Sequence, residues 1–380
     1  MNVFIIDLSG KVLHYDESLC DSLVKYVDLA FVAHKSQNEG YHGKRLWLLR
    51  LIPKKMKKSE SKVKRILKAV EGAFNYLLLI VYLLFKHPDI LHFQWFPFME
   101  FCSVDNAYIS IVKFIKPRQK IVLTIHNVYP HDMSLSQKDK YRKRFCDMDK
   151  HIDKYIVHTE SSKNEVANEF GVDLEKIKVV PHGIFVPDYL PQNKYNPQGK
   201  HIIMYGNNVP YKGTDILLDA LQMLPEEYKM SVKLTVAGMT STDYLNQLKE
   251  KSEGLNVTIL PTYIPDQQLN EMIDSADFIA LPYRHISQSG VLLLALYFKK
   301  PLIVADLPSF KETLAGFSDD MFFEAGNAES LCNLLMKYLN GEIDVANQIE
   351  TISKLNNLYS WEESAQKTCA LYSSIVSPTR

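Results

Sequence analysis

This 380-residue sequence predicts an α/β protein built from two doubly wound domains, and three observations carry that prediction. The length exceeds what one hydrophobic core normally fills, so two domains, each somewhat under about 200 residues, are expected. Short β-branched or aromatic runs alternate with longer amphipathic ones throughout, the rhythm of parallel sheets covered by helices. The rhythm breaks once, at residues 187–200 (PDYLPQNKYNPQGK), where three prolines and polar filler without periodicity read as a linker. The expected boundaries are therefore 1–186, the linker 187–200, a second domain 201–359, and a closing helix 360–380.

In the first half the strands are expected at 3–7 (VFIID), 90–94 (ILHFQ), 120–126 (KIVLTIH), 154–158 (KYIVH) and 177–181 (IKVVP). Helical patterns lie between them at roughly 58–87, 138–150 and 161–170. The apolar run at 72–85 (GAFNYLLLIVYLLF) spans 14 residues, short of the ~20 that cross a bilayer, so a buried core helix is expected there. Alternation restarts after the linker. Strands are expected at 201–205 (HIIMY), 232–237 (VKLTVA), 257–260 (VTIL), 278–282 (FIALP) and 302–305 (LIVA), with helices near 213–224, 241–253, 266–275, 289–300 and 327–340. Ligands then belong at the carboxyl ends of these strands, in the crevice where two such domains face one another.

Composition is ordinary for a globular chain, with 46% apolar and 23% charged residues, which excludes disorder. Net charge is zero but uneven: residues 41–70 hold eleven Lys or Arg against the single acid Glu60, a local charge of +10. One reading is a solvated helix and loop face. The other is peripheral contact with an anionic membrane, since basic residues beside an apolar run are what such a surface attracts. The N-terminus, MNVFIIDLSG, lacks a basic leader and reads as a first strand. Five scattered cysteines without CxxC spacing argue for reduced thiols, neither disulfides nor zinc, and hence for the cytoplasm.

Three stretches carry candidate chemistry. In SQSGVLLLALYFKKPLIVAD (287–306), Gln288, Ser289 and Gly290 open an almost wholly apolar helix after the strand FIALP. Unpaired amides at such a start, with the helix dipole behind them, make an anion site, and a plain Ser N-cap is the alternative. In YGNNVPYKG (205–213), Gly206 breaks a strand and Lys212 brings an ammonium to the same mouth, a point charge suited to a diphosphate. TIHNVYPHD (124–132) places His126 and Asn127 at a first-domain strand end, followed by His131 and Asp132. VPHGIF (180–185) adds His182 and Gly183, which fit a hinge better than catalysis. The DMD at 147–149 sits in a charged helical stretch and is not read as a metal site; no metal is expected.

These stretches, with TYIPDQQLNEMIDSADFIALPYR, YIVHTESSK and the closing SWEESAQKTCALY, resemble in order and spacing the retaining glycosyltransferases of the GT-B fold, family 4. The resemblance covers nearly the whole chain and implies a GT-B architecture, two Rossmann-like domains facing across a cleft. It implies that His126 contacts the donor sugar, that Lys212 binds the diphosphate of a nucleotide sugar, and that Ser289, Gly290 and Val291 cradle it through their amides. Gly206, Asn207, Arg284 and Gln288 would line the same donor site, and Tyr263 to Pro265 would lie beside the base. Ser9, Gly10 and Asn127 are the candidate acceptor residues.

A retaining transfer through an oxocarbenium-like state, in which the donor phosphate helps deprotonate the acceptor, needs no hydrolase-type carboxylate pair. No cofactor is implied beyond the nucleotide-diphosphate sugar as substrate. The partner classes are that donor and a glycan or lipid-linked acceptor, in cell-surface polysaccharide synthesis; nucleic acid is not among them.

The sequence departs from the family pattern in two places. Asn207 stands where the family carries an arginine, and Leu294 aligns with the glutamate that accepts from the ribose. Arg284 is then the expected substitute cation. Those departures also motivate a second reading, a binding or scaffold subunit that has lost catalysis. A nucleotide-sugar epimerase of the same two-domain architecture is a third.

Overall fold

The computed structural model describes residues 1–10, 12–34, 41, 43–50, 62–130, 133–192, 196 and 199–376, and, of residues 62–66 and 69, the backbone. The chain divides into two compact units, Met1–Gly183 together with Trp361–Arg380, and Ile184–Ser360.

In the first unit β1 (Asn2–Asp7), β2 (Asp28–His34), β3 (Arg45–Leu48), β4 (Ile90–Trp95), β5 (Lys120–Thr124), β6 (Lys154–Val157) and β7 (Ile177–Val179) form a parallel sheet ordered β3-β2-β1-β4-β5-β6-β7. The connections are α1 (Leu13–Leu23), α2 (Lys62–Lys86), α3 (Val104–Ile115), α4 (Leu135–Asp149) and α5 (Glu160–Phe170). A sheet covered on both faces needs strands apolar on both faces, and β1 supplies them: Val3 and Ile5 enter one core, Phe4 and Ile6 the other. The strands β2 and β3 and the helices α1 and α3 were not anticipated. LAFVA within β2 has the character of the other strands, whereas β3 is only four residues long and hides inside the basic segment.

Two expectations for that region change. Arg45 belongs to no solvated face: its guanidinium is buried against Glu17 at 3.0 Å and lies over the rings of Phe31, Tyr41 and Trp47. The apolar run in α2 is only half a core helix. Tyr76, Leu79 and Leu83 are buried, but Phe74, Leu77, Val81, Leu84 and Phe85 are exposed, because a single helix on a sheet can turn only one face inward. Residues 51–61, which hold much of the positive charge, lie outside the described residues.

In the second unit β8 (His201–Tyr205), β9 (Lys233–Ala237), β10 (Val257–Leu260), β11 (Phe278–Leu281), β12 (Leu302–Ala305) and β13 (Phe322–Phe323) form a parallel sheet ordered β10-β9-β8-β11-β12-β13. Its helices are α6 (Thr214–Gln222), α7 (Glu226–Lys229), α8 (Thr242–Lys251), α9 (Asp266–Ser275), α10 (Gly290–Phe298), α11 (Pro308–Thr313), α12 (Ala328–Leu339) and α13 (Val345–Leu358). Strand order reverses between β8 and β11, which creates a crevice at their carboxyl ends. Residues at the start of the expected linker are tied to this unit: Tyr189 and the backbone N–H of Gln192 both donate to Asp274 Oδ2, at 3.0 and 2.9 Å.

The last helix, α14 (Trp361–Ile375), belongs to the first unit and packs on α1. Its Tyr372 is fully buried and hydrogen-bonds His92 of β4. None of the five cysteines is disulfide-bonded.

Candidate functional site

In the second unit β8 stops at Gly206, whose φ of 87° suits a residue without Cβ. A Cβ there would lie 2.9 Å from Lys212 Nζ and 3.2 Å from Val291 Cγ2. The bare glycine therefore leaves room for an ammonium on one side and the first turn of α10 on the other. Lys212 ends a 3-10 turn begun by Pro210, and Gly213 behind it is again left-handed, at φ 71°.

The ammonium is unusually placed. Lys212 is only 5% exposed, and no carboxylate lies within ion-pair distance among the described residues. Its one hydrogen bond among them is a long one, 3.4 Å to Tyr205 O, and the Tyr283 ring lies 5.5 Å away. Burial without a counter-charge pushes its pKa down to about 8. A buried cation that no acid neutralises is matched to an anion from outside.

At the start of α10 the Ser289 Oγ accepts from Leu292 N at 3.2 Å, so the serine is the N-cap. Capping and anion binding are compatible here. The amides of Ser289, Gly290 and Val291 have no acceptor among the described residues, and Gly290 is exposed. Tyr205 OH donates to Val291 O at 2.9 Å, fixing this turn to the end of β8. One ammonium and three free amides thus converge beside Gly206, with Gln288 half-buried next to them.

The other donor-site candidates divide. Asn207 is exposed at the mouth, while its neighbour Asn208 is buried and structural, accepting from Thr214 Oγ1 at 2.5 Å. Arg284 is already paired: its guanidinium forks onto Asp215 at 2.9 and 2.6 Å and also donates to Pro210 O. A paired arginine brings no spare charge to a phosphate, so Lys212 stands without that substitute. Tyr263 is 68% exposed after β10, and Pro265 caps α9. Leu294 packs against the core of this unit.

In the first unit His126 is buried within a group of histidines at successive strand ends. His126 Nδ1 lies 3.2 Å from His158 Nε2, and His126 Nε2 lies 3.3 Å from the side-chain amide of Gln94. His158 Nδ1 lies 3.0 Å from Val180 O. A carbonyl only accepts, so neutral His158 donates from Nδ1 and accepts at Nε2; the single ring proton of neutral His126 serves either Nδ1, facing His158, or Nε2, facing Gln94 Oε1, and not both at once. Burial keeps these rings neutral: His92 is pushed down to about 3, His158 to about 4, and His126 well below its ordinary value, by desolvation first and then by the neighbouring imidazoles. The rings of His126, His158, His182 and Trp361 all pack on Tyr15. Asn127 is half-buried with no side-chain hydrogen bond among the described residues; His131 and Asp132 lie outside them.

Ser9 and Gly10 turn back on Asp7. Ser9 N, Ser9 Oγ and Gly10 N all donate to Asp7 Oδ1, at 2.8, 2.9 and 2.9 Å. Those donors are already committed. Asp16 lies fully buried beside Asp7, and burial, then the Asp7 charge, pushes its pKa well above the usual carboxylate range. An acid with a raised folded-state pKa holds its proton more tightly in the folded chain. Stability therefore falls as pH rises from the unfolded value toward the folded one. Asp16→Asn should accordingly melt higher than wild type at pH 7, with the gap closing near pH 4; equal melting curves at both pH values would refute the raised pKa of Asp16.

Sequence reasoning missed Tyr283, Asn208 and the Asp7–Asp16 pair. It had a usable signal for the histidines, since TIH, IVH and VPH each put one just past the end of a successive strand, with His92 of ILH inside the strand before them. For Asn208 it had none, because either asparagine of the NN pair could have faced the site.

Comparison with known proteins gives the family and the fold. Residues 33–186 match the model of Glycosyltransferase Family 4, and residues 187–355 match that of Glycosyl transferases group 1. A GDP-mannose:glycolipid 4-beta-D-mannosyltransferase of Xanthomonas campestris is 20% identical over 63% of this chain and 66% of its own length. The chain spans between 37% and 66% of the length of the curated relatives it matches. Among solved structures, Anabaena HepE in complex with UDP-glucose aligns with a TM-score of 0.69 at 15% identity, over 98% of this chain and 99% of that one. A glycosyltransferase from Rickettsia africae aligns with a TM-score of 0.68 at 17% identity, over 99% and 98%. Likeness at this identity establishes the fold.

Proposed function

We infer, for a chain that belongs to the glycosyl transferases group 1 and has the GT-B fold, that it moves a sugar from a nucleotide diphosphate to a glycan or lipid-linked acceptor. The observation that carries this reading is the buried ammonium of Lys212, without an acid partner, beside the free amides of residues 289–291. Breaking the bond between sugar and diphosphate builds negative charge on the leaving phosphate. A fixed cation and fixed amides stabilise that charge without reorganising.

Retention of configuration and independence from metal are part of the same proposal, because Lys212 and the amides supply the positive potential from the chain itself. Tyr263 and Pro265 are assigned to the base, and Asn127 to the acceptor. His126 acts as a neutral ring. Its 3.3 Å contact with Gln94 is long for a hydrogen bond and is the one exchanged for a sugar hydroxyl. A role in cell-surface polysaccharide synthesis, on the cytoplasmic side and against an anionic membrane, completes the reading; the mannosyltransferases among the relatives favour a mannose-type donor.

The test is a thermal-shift panel of UDP, GDP and their sugars, followed by transfer assays with the nucleotide that binds. Binding to the folded chain raises its melting temperature in proportion to affinity. His126→Ala should lower kcat/KM by roughly 10- to 100-fold, as expected for losing one sugar contact, with little change in the nucleoside diphosphate shift. The scaffold reading is favoured by Leu294, an apolar side chain where the family's ribose acceptor aligns. It predicts no shift with any nucleotide, and that result would replace the enzyme reading.

A further inference from the structure

The first unit carries an apolar face that its own core does not use. Of the 24 large apolar side chains exposed among the described residues, eleven lie on α2, α3 and the chain just before α3. On α2 the exposed positions Val70, Phe74, Leu77, Val81 and Leu84 recur at alternating steps of four and three, one continuous stripe along the helix. On α3 the most exposed member is Phe114, at 87%. The two helices are neighbours: the rings of Tyr76 and Tyr108 stack at 4.2 Å, and Lys116 Nζ donates to Leu83 O at 3.0 Å. Both enter the same core, on the sheet face away from α1 and α14, so their outer sides form one surface.

The exposed charge around this surface is mainly positive: Lys68, Lys86 and Arg118 are exposed beside it, against Asp89, which is exposed and accepts from Asn2 N. Glu71 and Glu100 are half-buried, and Asp105 is buried and accepts from Tyr76 OH and Phe98 N. The sequence from 41 to 70, which leads into α2, has a net charge of +10.

We propose that the outer face of α2 and α3 docks onto an anionic lipid bilayer, its apolar stripe entering the interface and its basic rim meeting the headgroups. This locates the membrane contact of the proposed function on named side chains, and it stands without the transfer chemistry. A second copy of the chain fits worse, because a two-fold interface would set the same basic rim against itself. A bilayer carrying acidic headgroups supplies the opposite charge, and it accepts apolar side chains without requiring a complementary shape. No helix among the described residues is long and apolar enough to cross a membrane, which agrees with a helix lying in the interface.

The test uses the full chain and sucrose-loaded vesicles of phosphatidylcholine alone or with about one third phosphatidylglycerol, a composition that gives the negative surface potential the rim needs. Partitioning onto the anionic vesicles should exceed that onto neutral ones by at least tenfold at low salt, and should weaken as salt is added. Leu77→Ser with Phe114→Ser should reduce it at least tenfold. Lys68→Glu with Lys86→Glu should remove the preference for anionic lipid. Each variant replaces exposed side chains, so melting curves and nucleoside diphosphate shifts should match wild type; this separates a failure here from a failure of the donor site. Equal sedimentation with both vesicle types would overturn the proposal. So would a wild-type dimer that the Leu77/Phe114 variant converts to monomer without any change in vesicle binding.

Discussion

Lys212→Met is expected to abolish the thermal shift given by nucleoside diphosphates, lower transfer by at least about 100-fold, and raise the melting temperature of the ligand-free chain. The first two effects follow from removing the one buried cation beside Gly206. The third follows from its cost. A fall in pKa from 10.5 to about 8 corresponds to about 3 kcal/mol of penalty for keeping the ammonium charged where water is excluded. Methionine fills similar space without that penalty but loses the contact with the Tyr283 ring. A net gain of about 1–2 kcal/mol, or roughly 3–6 °C, is the expected balance. A residue kept only for folding would lose stability on the same replacement.

The same lysine fixes a direction for pH dependence. Its folded-state pKa lies below the unfolded one, so the penalty is present in full below about pH 8 and fades as pH rises from there toward 10.5. Affinity for a diphosphate runs the opposite way. Above about pH 8 binding must first return a proton to the amine, so the calorimetric affinity of the wild-type chain should weaken progressively as pH rises, and an affinity that stays constant from about pH 7 to 10 would contradict a role for the ammonium. The buried histidines His92, His126, His158 and His182 contribute no such slope near neutrality, since burial holds each of them neutral.

Gly238→Ala should be, with Gly213→Ala, among the most damaging single methyls in the second unit. Gly238 follows β9 with φ 148°, and a Cβ there would collide with the backbone carbonyl of Gly206. Neither partner can yield as a side chain would. A loss of about 3–4 kcal/mol or more is expected, together with displaced Gly206 and weaker diphosphate binding even where the fold survives. By contrast, Gly254→Ala has open space around its Cβ and should cost little beyond the strain of its own left-handed φ of 75°. A Gly238→Ala melting curve no lower than that of Gly254→Ala would contradict the close approach of β8 and β9.

What could be read in the sequence was whatever repeats locally. Ten strands announced themselves because buried parallel strands are short apolar runs, and the switch-point site followed from which motifs end those runs. Lys212, Ser289 and Gly290 were legible as a group for that reason. Other pairings were not legible. Arg284 has suitable chemistry in a suitable place, but it is held by Asp215, and a partner 69 residues away leaves no local trace; Ser9 and Gly10 turn back on Asp7, two and three residues before them. Likewise the run 72–85 shows that it is apolar, not that only one side of it meets a core.

The first unit is assembled from both ends of the chain. Tyr372 and Ala365 of α14 are fully buried among residues of β1, β2 and α1, and Ser364 Oγ donates to Pro181 O at 2.5 Å. During synthesis, then, the opening half cannot close its interior until the last helix has left the ribosome, whereas Ile184–Ser360 already holds its own core. Order of manufacture and order of completion are inverted: the segment translated first is finished last.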